Sequence, residues 1–446
     1  MLTWFRKKMK VIIITVAVLF IASLFYGIGY QGLKGESGGK KSSEIARVNG
    51  RAIDLLRYRE ILNRAVQGVG PNAGPQEMAF IENLALNQAI DFTLLLNEAK
   101  KKVRVSGGEL DSAIDGIMRQ QNIPSRRELD NALKRMGLDM GKFRDLIKDD
   151  IYVQKLNMKL YEEVKVTPDD LREVQASHIL LSDEATARLV LGQVKSGANF
   201  ASLAKKYSRD PGSASQGGSL GYFTTGTMVP AFDKAAFALK VGEVSGIVQS
   251  PFGYHIIKVT DSRLRKFPGG GKEIEQAALK EKQEKSFQQW YSQVRGKAKI
   301  EIISPEFKAN DYRFKGMTPL AIAEYKKAIQ ADPANPYLRI FLADTYMQAG
   351  QKGLALAEYE NAVKMEGGNP DMYIVLGRAY DQAGERTLAA REYEKASLIA
   401  GDSKEMHEKL LKVFQTLKLG AAVAREQAAL SRIAKKAQFE KELQGK

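Results

Sequence analysis

The sequence has 446 residues, enough for about three domains at roughly 150 residues each. Its 44% hydrophobic and 27% charged residues are typical of globular proteins, which excludes a wholly disordered or collagen-like chain. The formal net charge of +16 is spread along the chain, and no nucleic-acid-binding motif accompanies it, so we expect no nucleic-acid partner. Cysteine is absent, which excludes disulfides, thiolate metal sites and cysteine nucleophiles.

The first thirty residues predict a membrane anchor. An apolar run over 11–28 follows a basic stretch that includes Arg6 and Lys10. At 1.5 Å per helical residue the run spans about 27 Å, close to a bilayer core. It is longer than the apolar region of a signal peptide, about 7–15 residues, and no Ala-x-Ala site follows. We therefore expect a single uncleaved span in a bacterial inner membrane, a cytoplasmic N-terminus, a flexible linker over 31–43 and an extracytoplasmic remainder.

Residues 44–172 are predicted to be mostly helical. Asn49-Gly50 between short apolar stretches indicates a hairpin, because both residues tolerate positive φ. Ser106 with Glu109 has capping-box spacing and marks a helix start. The segment shows no combination of residues that indicates catalysis, so its charges are read as solvated helix faces.

Residues 173–262 differ, combining strands and short helices in a small α+β domain. Strands are predicted over 176–181 and 254–260. Helices are predicted over 184–195, 199–207 and 230–239. A glycine-rich linker over 263–272 follows, then a helix over 273–297 and a strand over 299–303.

The C-terminal part repeats with a period of 34 residues. Tyr325, Tyr359 and Tyr393 keep this phase, and small residues between them do the same. The period and pattern resemble those of tetratricopeptide repeats, which implies an all-α solenoid over 316–446. We expect an incomplete leading repeat over 319–331 and a degenerate, polar last repeat.

The chain has three histidines, and two of them are candidates for chemistry. His178 and His255 lie in the first and last strands of the α+β domain, so we expect them to meet. A metal pair lacks a third ligand with suitable spacing, and residues 217–221 lack the Gly-x-Ser-x-Gly elbow of a serine hydrolase. His407, in the last repeat, is expected at the surface.

Several blocks of residues 173–262 resemble the parvulin peptidyl-prolyl isomerases, in the order found in that family. The blocks are 177–180, 200–208, 210–214, 217–223, 228–232, 237–239, 241–245 and 252–257. The resemblance implies a non-covalent isomerase that needs no cofactor and no metal and acts on X-Pro bonds.

The same resemblance implies roles for particular residues. His178, Asp210 and His255 would be the catalytic group, with Asp210 at the position where the family has Asp or Cys. The residues implied to bind substrate are Leu220, Met228, Phe232, Ser250 and Phe252. Basic residues after the first strand are typical of phosphate-directed parvulins; here 182–184 reads Ser-Asp-Glu, so a phosphorylated substrate is not expected.

Residues 44–172, completed by 273–303, resemble the helical chaperone part of SurA-like, PpiD-like and PrsA-like foldases. The resemblance implies that the domain binds unfolded client chains and that the parvulin domain is inserted into it. The sequence therefore predicts a multidomain, membrane-anchored, extracytoplasmic isomerase and chaperone for exported proteins. The alternative is a non-catalytic chaperone or scaffold that recruits envelope partners through its tetratricopeptide repeats. The two differ in whether Asp210 and Met228 matter for client folding.

Overall fold

A computed structural model describes residues 44–67, 74–135, 137–265 and 271–444. The chain forms two compact units. One unit contains residues up to 154 together with 298–446, and the other contains residues 155–297. The predicted anchor over 11–28 and the linker over 31–43 lie outside the described residues.

The first unit opens with a small antiparallel sheet. Strands β1 (Ala46–Val48) and β2 (Arg51–Ala52) form a hairpin, and its turn places Asn49 and Gly50 at φ of 53° and 80°. Strand β7 (Ile300–Ile302) pairs with the other edge of β1. The predicted hairpin and the predicted strand over 299–303 are therefore both present, and the chain returns to its beginning after the second unit.

Five helices follow the hairpin. They are α1 (Leu55–Gln67), α2 (Pro75–Lys102), α3 (Gly107–Gln120), α4 (Arg126–Arg135) and α5 (Met140–Glu162). Ser106 and Glu109 form the predicted capping box at the start of α3, since each side chain bonds to the other residue's backbone N–H. Buried aliphatic residues of α3, α4 and α5 surround Phe143 in one core.

The C-terminal part of the first unit is a series of helical pairs. Its helices are α10 (Pro305–Phe314), α11 (Thr318–Ala331), α12 (Pro336–Gln348), α13 (Lys352–Met365), α14 (Pro370–Ala383), α15 (Arg386–Ile399), α16 (Lys404–Thr416) and α17 (Gly420–Gln444). From α12 onward, alternate helices begin 34 residues apart, which is the period read from the sequence. We call α10–α17 the helical array. The expected incomplete repeat over 319–331 is wrong, because α10 packs on α11 and completes a pair.

The array shares its core with the start of α2. Ala79 belongs to the same buried cluster as Tyr325, Phe341 and Tyr359. Phe80 meets Phe314 edge to face, with ring centroids 5.3 Å apart. The N-terminal helices and the array are therefore packed together.

The prediction that His407 lies at the surface is wrong. The expected surface histidine is buried. Its Nδ1 lies 2.6 Å from Glu426 Oε2 and its Nε2 lies 3.0 Å from the carbonyl oxygen of Gly401. A long-range partner on α17 buries the imidazole, and spacing along the sequence does not show that partner.

The second unit is built on a four-stranded antiparallel sheet. Its strands are β3 (Arg172–Leu181), β4 (Ser219–Thr224), β5 (Val248–Ser250) and β6 (Gly253–Leu264), in the spatial order β4-β3-β6-β5. Helices α6 (Glu184–Lys195), α7 (Phe200–Tyr207) and α8 (Pro230–Ala238) connect the strands. The predicted helices of this domain are confirmed within one residue at each end. The predicted strands lie inside longer strands, because pairing of β3 with β6 extends both into polar sequence.

Helix α9 (Gly271–Lys297) belongs to this second unit. Phe287 packs on Tyr161, with ring centroids 6.2 Å apart, and Lys282 forms an ion pair with Asp170 at 2.6 Å. In the parts of the chain that the structure describes, no helix is long and apolar enough to span a bilayer.

Candidate active site

Strand register brings the two histidines together. His178 on β3 is directly opposite Ile257 on β6, and His255 is opposite Leu180. Side chains two residues apart on a strand point to the same face, so His255 is on the face of Ile257 and of His178. The histidines are thus diagonal neighbours on one face of the central strand pair.

The imidazole rings are stacked, with centroids 5.4 Å apart and planes inclined by 19°. Their Nδ1 atoms are 3.2 Å apart. On the far side of His178, Nε2 lies 2.8 Å from Asp210 Oδ2. On the far side of His255, Nε2 lies 2.7 Å from Ser250 Oγ. A continuous hydrogen-bond chain therefore runs from Asp210 through both imidazoles to Ser250.

Asp210 is held by the loop between α7 and β4. The Gly212 backbone N–H donates to Asp210 Oδ1 at 3.2 Å. The Ser213 hydroxyl donates to Oδ2. Both bonds favour the ionised carboxylate, which accepts hydrogen bonds and donates none.

These contacts set the direction of every hydrogen bond in the chain. An ionised Asp210 requires an N–H on His178 Nε2, so a neutral His178 accepts at Nδ1. His255 must then donate from its own Nδ1 and accept at Nε2, where the Ser250 hydroxyl donates. The Ser250 oxygen in turn accepts from the Phe252 backbone N–H at 3.0 Å.

The ionisation of the site agrees with this direction. The Ser213 hydrogen bond, followed by that of His178, lowers the pKa of Asp210 against the opposing effect of burial. Burial, with a contribution from His178, lowers the pKa of His255 to about 4. At neutral pH the site therefore holds an ionised Asp210 at one end and a neutral His255 beyond His178.

An apolar wall adjoins the histidines. The Phe232 ring on α8 meets His178 and His255 edge to face, with centroids 5.6 and 5.3 Å away. Phe232 is 2% exposed, while Leu220 and Met228 pack against the same cluster and remain partly accessible. The three predicted apolar pocket residues therefore lie together beside the imidazoles.

Phe252 differs from these residues. It lies in the turn between β5 and β6 and is 70% exposed. Its backbone joins the hydrogen-bond chain at Ser250, while its ring is available to a bound molecule. The predicted site residues thus divide into the polar chain, the apolar wall and this exposed aromatic.

Ser213 was not among the residues predicted from the sequence. It is 2% exposed, and its Oγ contacts Asp210 and also lies 3.2 Å from His178 Nε2. The available signal was its position three residues after Asp210 in a tight loop, where a hydroxyl can reach back to the carboxylate.

Comparison with known families agrees with this geometry. Residues 157–263 match the family model described as the PPIC-type PPIASE domain. Residues 1–157 match the SurA-like N-terminal domain. The chain therefore combines a SurA-like N-terminal domain with a PPIC-type peptidyl-prolyl isomerase domain of the parvulin class. These matches support peptidyl-prolyl cis–trans isomerase activity.

The chain is also similar to curated proteins that are named foldases. Foldase protein PrsA of Geobacillus kaustophilus is 41% identical over 174 residues, which are 37% of this chain and 59% of the relative. Foldase protein PrsA of Caldanaerobacter subterraneus is 29% identical over 307 residues, 64% of this chain and 94% of the relative. The chain spans about three fifths of the length of the Geobacillus relatives.

Among solved structures, the 1.70 Å crystal structure of peptidylprolyl isomerase PrsA from Bacillus anthracis is 31% identical to this chain. That match covers 55% of this chain and 96% of the other, with a TM-score of 0.28.

Proposed function

We propose that this protein is an extracytoplasmic foldase that binds unfolded exported polypeptides and isomerises their X-Pro bonds. The observation that carries the proposal is the hydrogen-bond chain from Asp210 to Ser250 beside the apolar wall of Leu220, Met228 and Phe232. The N-terminal domain match and the PrsA relatives support the foldase part.

Each part of the site has a task in this reaction. Rotation about an X-Pro bond has a barrier near 20 kcal/mol and takes about tens to hundreds of seconds unaided. The apolar wall binds the proline ring, which places the preceding amide next to the histidines. The twisted amide has lost its resonance, so its carbonyl and nitrogen carry a different charge distribution from the planar amide. A fixed chain of polar groups that favours this distribution lowers the barrier.

The rate acceleration that this reaction requires is modest. Turning over about a hundred times per second needs about 10³–10⁴-fold acceleration, or about 4–5.5 kcal/mol. Oriented polar groups in a site that excludes water are able to supply this. No covalent intermediate is part of the proposal, because Asp210, His178 and His255 are engaged with one another.

Client binding is assigned to the first unit. Phe80, Leu84 and Phe314 are large apolar residues that stay exposed there. A cavity of about 390 Å³ lies next to Phe314, and its lining mixes Met347 and Tyr359 with polar and charged residues, among them Arg313 and Asp344. Exposed apolar surface next to a cavity suits a segment of an unfolded chain. The helical array would act as tetratricopeptide repeats and bind a further protein partner.

The membrane and compartment assignments rest on the sequence. The basic residues before 11–28 favour a cytoplasmic N-terminus, with one span and the bulk of the chain outside the inner membrane. Protease added to intact spheroplasts should then digest residues beyond 43. Full protection from the protease would contradict this placement.

A refolding assay tests the two activities together. A reduced, unfolded protein whose slow refolding phase is limited by proline isomerisation is refolded with and without this chain. The slow phase should accelerate with the full chain and lose that acceleration with Asp210→Ala, while both should suppress aggregation. The alternative, a non-catalytic scaffold built on the 34-residue helical phase of the array, predicts aggregation control with an unchanged slow phase.

A further inference from the structure

Ser213 lies in the loop between α7 and β4, where its side chain contacts both Asp210 and His178. Its side chain is buried. Its hydroxyl donates to Asp210 Oδ2, and the same oxygen lies 3.2 Å from His178 Nε2. A serine has one O–H to donate and lone pairs to accept with. Since the hydrogen points to the carboxylate, the face that Ser213 turns to His178 is an acceptor.

Two acceptors therefore converge on His178 Nε2, namely Asp210 Oδ2 and Ser213 Oγ. Only an N–H on that nitrogen satisfies both. When His178 carries no second hydrogen, its Nδ1 is an acceptor, so that His255 donates from Nδ1 and Ser250 donates to His255 Nε2.

The opposite direction is also consistent within the chain. A protonated Asp210 would donate to His178 Nε2, each imidazole would carry its hydrogen on the other nitrogen, and Ser250 would become an acceptor. The hydrogen-bond distances alone permit both directions. The Ser213 hydroxyl distinguishes them, because it stabilises the ionised Asp210 and offers His178 a lone pair.

The backbone of Ser213 strengthens this position. Its carbonyl oxygen accepts from Gly218 N at 2.8 Å, and Gly218 O in turn accepts from His178 N at 2.8 Å. Ser213 is thus tied to the backbone of His178 as well as to its ring, which keeps the hydroxyl in place.

We infer that Ser213 is a positioning residue of the isomerase site, whose hydroxyl fixes the direction of the hydrogen-bond chain from Asp210 to Ser250. The inference rests on the proposed function of the site. Its consequence is that Ser213 determines how acidic the solution must become before Asp210 takes up a proton and this direction of the hydrogen-bond chain is lost.

The other charged and titratable groups around Asp210 are few. His178 faces it from β3, with His255 behind on β6, and Arg209 precedes it in the loop. The Ser213 hydrogen bond is the leading cause that lowers the pKa of Asp210. Removing it leaves the histidine and the Gly212 N–H to stabilise the carboxylate.

The ¹⁵N chemical shifts of the histidine rings report the direction of the hydrogen-bond chain independently of any activity assay. The chain has only three histidines, so the full-length protein labelled with ¹⁵N-histidine gives a simple spectrum, and His407 serves as an internal reference in the other unit. We expect wild type at neutral pH to carry hydrogen on Nε2 of His178 and on Nδ1 of His255. In Ser213→Ala this pattern should be lost at a higher pH than in wild type.

Kinetics provides the second readout. We expect Ser213→Ala to lower kcat/KM on an Ala-x-Pro peptide by about two- to tenfold at neutral pH, the range of one net hydrogen bond. The acid limb of the pH dependence of kcat/KM should move to higher pH in Ser213→Ala. Ser213→Cys keeps a weak donor and should fall between wild type and alanine. Ser215→Ala, an exposed serine in the same loop, is the matched control and should behave as wild type.

The outcomes separate cleanly. Wild-type tautomers and an unmoved acid limb in Ser213→Ala, even with a lower rate at every pH, would overturn the inference and leave Ser213 a packing residue. If Ser213→Ala does not fold, Ser213→Cys must show the shifted tautomer transition, and a wild-type transition there overturns the inference as well. If wild type itself does not accelerate the exchange, the proposed function fails, while the nitrogen shifts still decide whether Ser213 sets the direction.

Discussion

Gly218 lies close to the site, and one added methyl group there should be strongly destabilising. Its φ of +83° lies in the left-handed region. A Cβ there would be 2.2 Å from the carbonyl oxygen of His178 and 3.2 Å from the Cβ of Ala204. Because Gly218 O also accepts from His178 N, any backbone shift that relieves the clash moves the strand that carries His178.

Three contributions make up the expected cost of Gly218→Ala. The left-handed conformation costs about 1–2 kcal/mol for a residue with a Cβ. Overpacking against fixed backbone costs about 1–3 kcal/mol. A weakened backbone hydrogen bond adds about 0.5–1.5 kcal/mol. Together they predict a loss of about 2.5–6.5 kcal/mol in the free energy of unfolding of the second unit.

Gly242 provides the matched control. Its φ of +92° is also left-handed, but nothing lies within 4 Å of the Cβ it would gain. Gly242→Ala should therefore cost only the conformational part, about 1–2 kcal/mol.

Hydrogen exchange followed by mass spectrometry on the full chain measures this difference at peptides from β3 and β6. Equal losses in the two variants would refute the reasoning, because the close approach to His178 would then contribute nothing.

The acid titration of His255, the side chain of Met228 and the glycines of the helical array each provide a further test. The pKa of His255 is lowered from its ordinary value of 6.5 to about 4 in the folded protein. Between these two pH values the unfolded chain binds more protons than the folded one, so the second unit should lose stability as the pH falls through that window. The thermal unfolding midpoint of the second unit, followed from pH 7 to 4, measures this loss. Met228→Ala should lower kcat/KM by about tenfold with a smaller loss of stability than a fully buried residue would show, because Met228 is only partly buried; peptide exchange and thermal unfolding on one sample measure both. In the helical array, the Cβ added by Gly377→Ala would lie 2.7 Å from the Tyr393 ring. The cost of overpacking, about 1–3 kcal/mol, should exceed the gain in helix propensity of about 1 kcal/mol, so this variant should be destabilised. The Cβ added by Gly353→Ala meets open space, so that variant should be slightly stabilised, and calorimetry measures both.

Each of these has a contradicting result. A midpoint that is constant or rises as the solution is acidified would show that His255 is not held neutral in the folded state. An unchanged kcat/KM in Met228→Ala would remove that side chain from the substrate pocket. A stabilised Gly377→Ala would show that the Tyr393 ring yields without cost.

Much of the fold follows from local chemistry that the sequence displays. The helix over Glu184–Lys195 has its predicted bounds because Asp183 caps it, accepting from Thr186 N at 2.8 Å. The 34-residue phase of the array is visible because each helical pair repeats the same packing, with small residues where helices approach. The meeting of His178 and His255 was predicted because the first and last strands of a small sheet are often neighbours.

The features that were not predicted from the sequence depend on contacts between residues far apart in the chain. His407 was placed at the surface because its burial depends on Glu426, on a different helix. Strand β3 begins before the predicted strand because pairing with β6, rather than apolar alternation, orders its first residues. Ser213 was missed because its role comes from the shape of the loop, which brings its hydroxyl between Asp210 and His178. The roles of Ser250 and Phe252 in substrate binding stay predictions.

The proposed isomerase site, built on His178, His255 and Asp210, can be tested directly on an X-Pro bond. Exchange spectroscopy on an unphosphorylated Ala-x-Pro peptide measures cis–trans interconversion at equilibrium, without a coupling protease. We expect the full chain to accelerate exchange, Asp210→Ala to lose the acceleration, Met228→Ala to reduce it by about tenfold, and Ser215→Ala to retain it. Exchange no faster than in buffer, for peptides with several different residues before proline, would contradict the proposed isomerase activity.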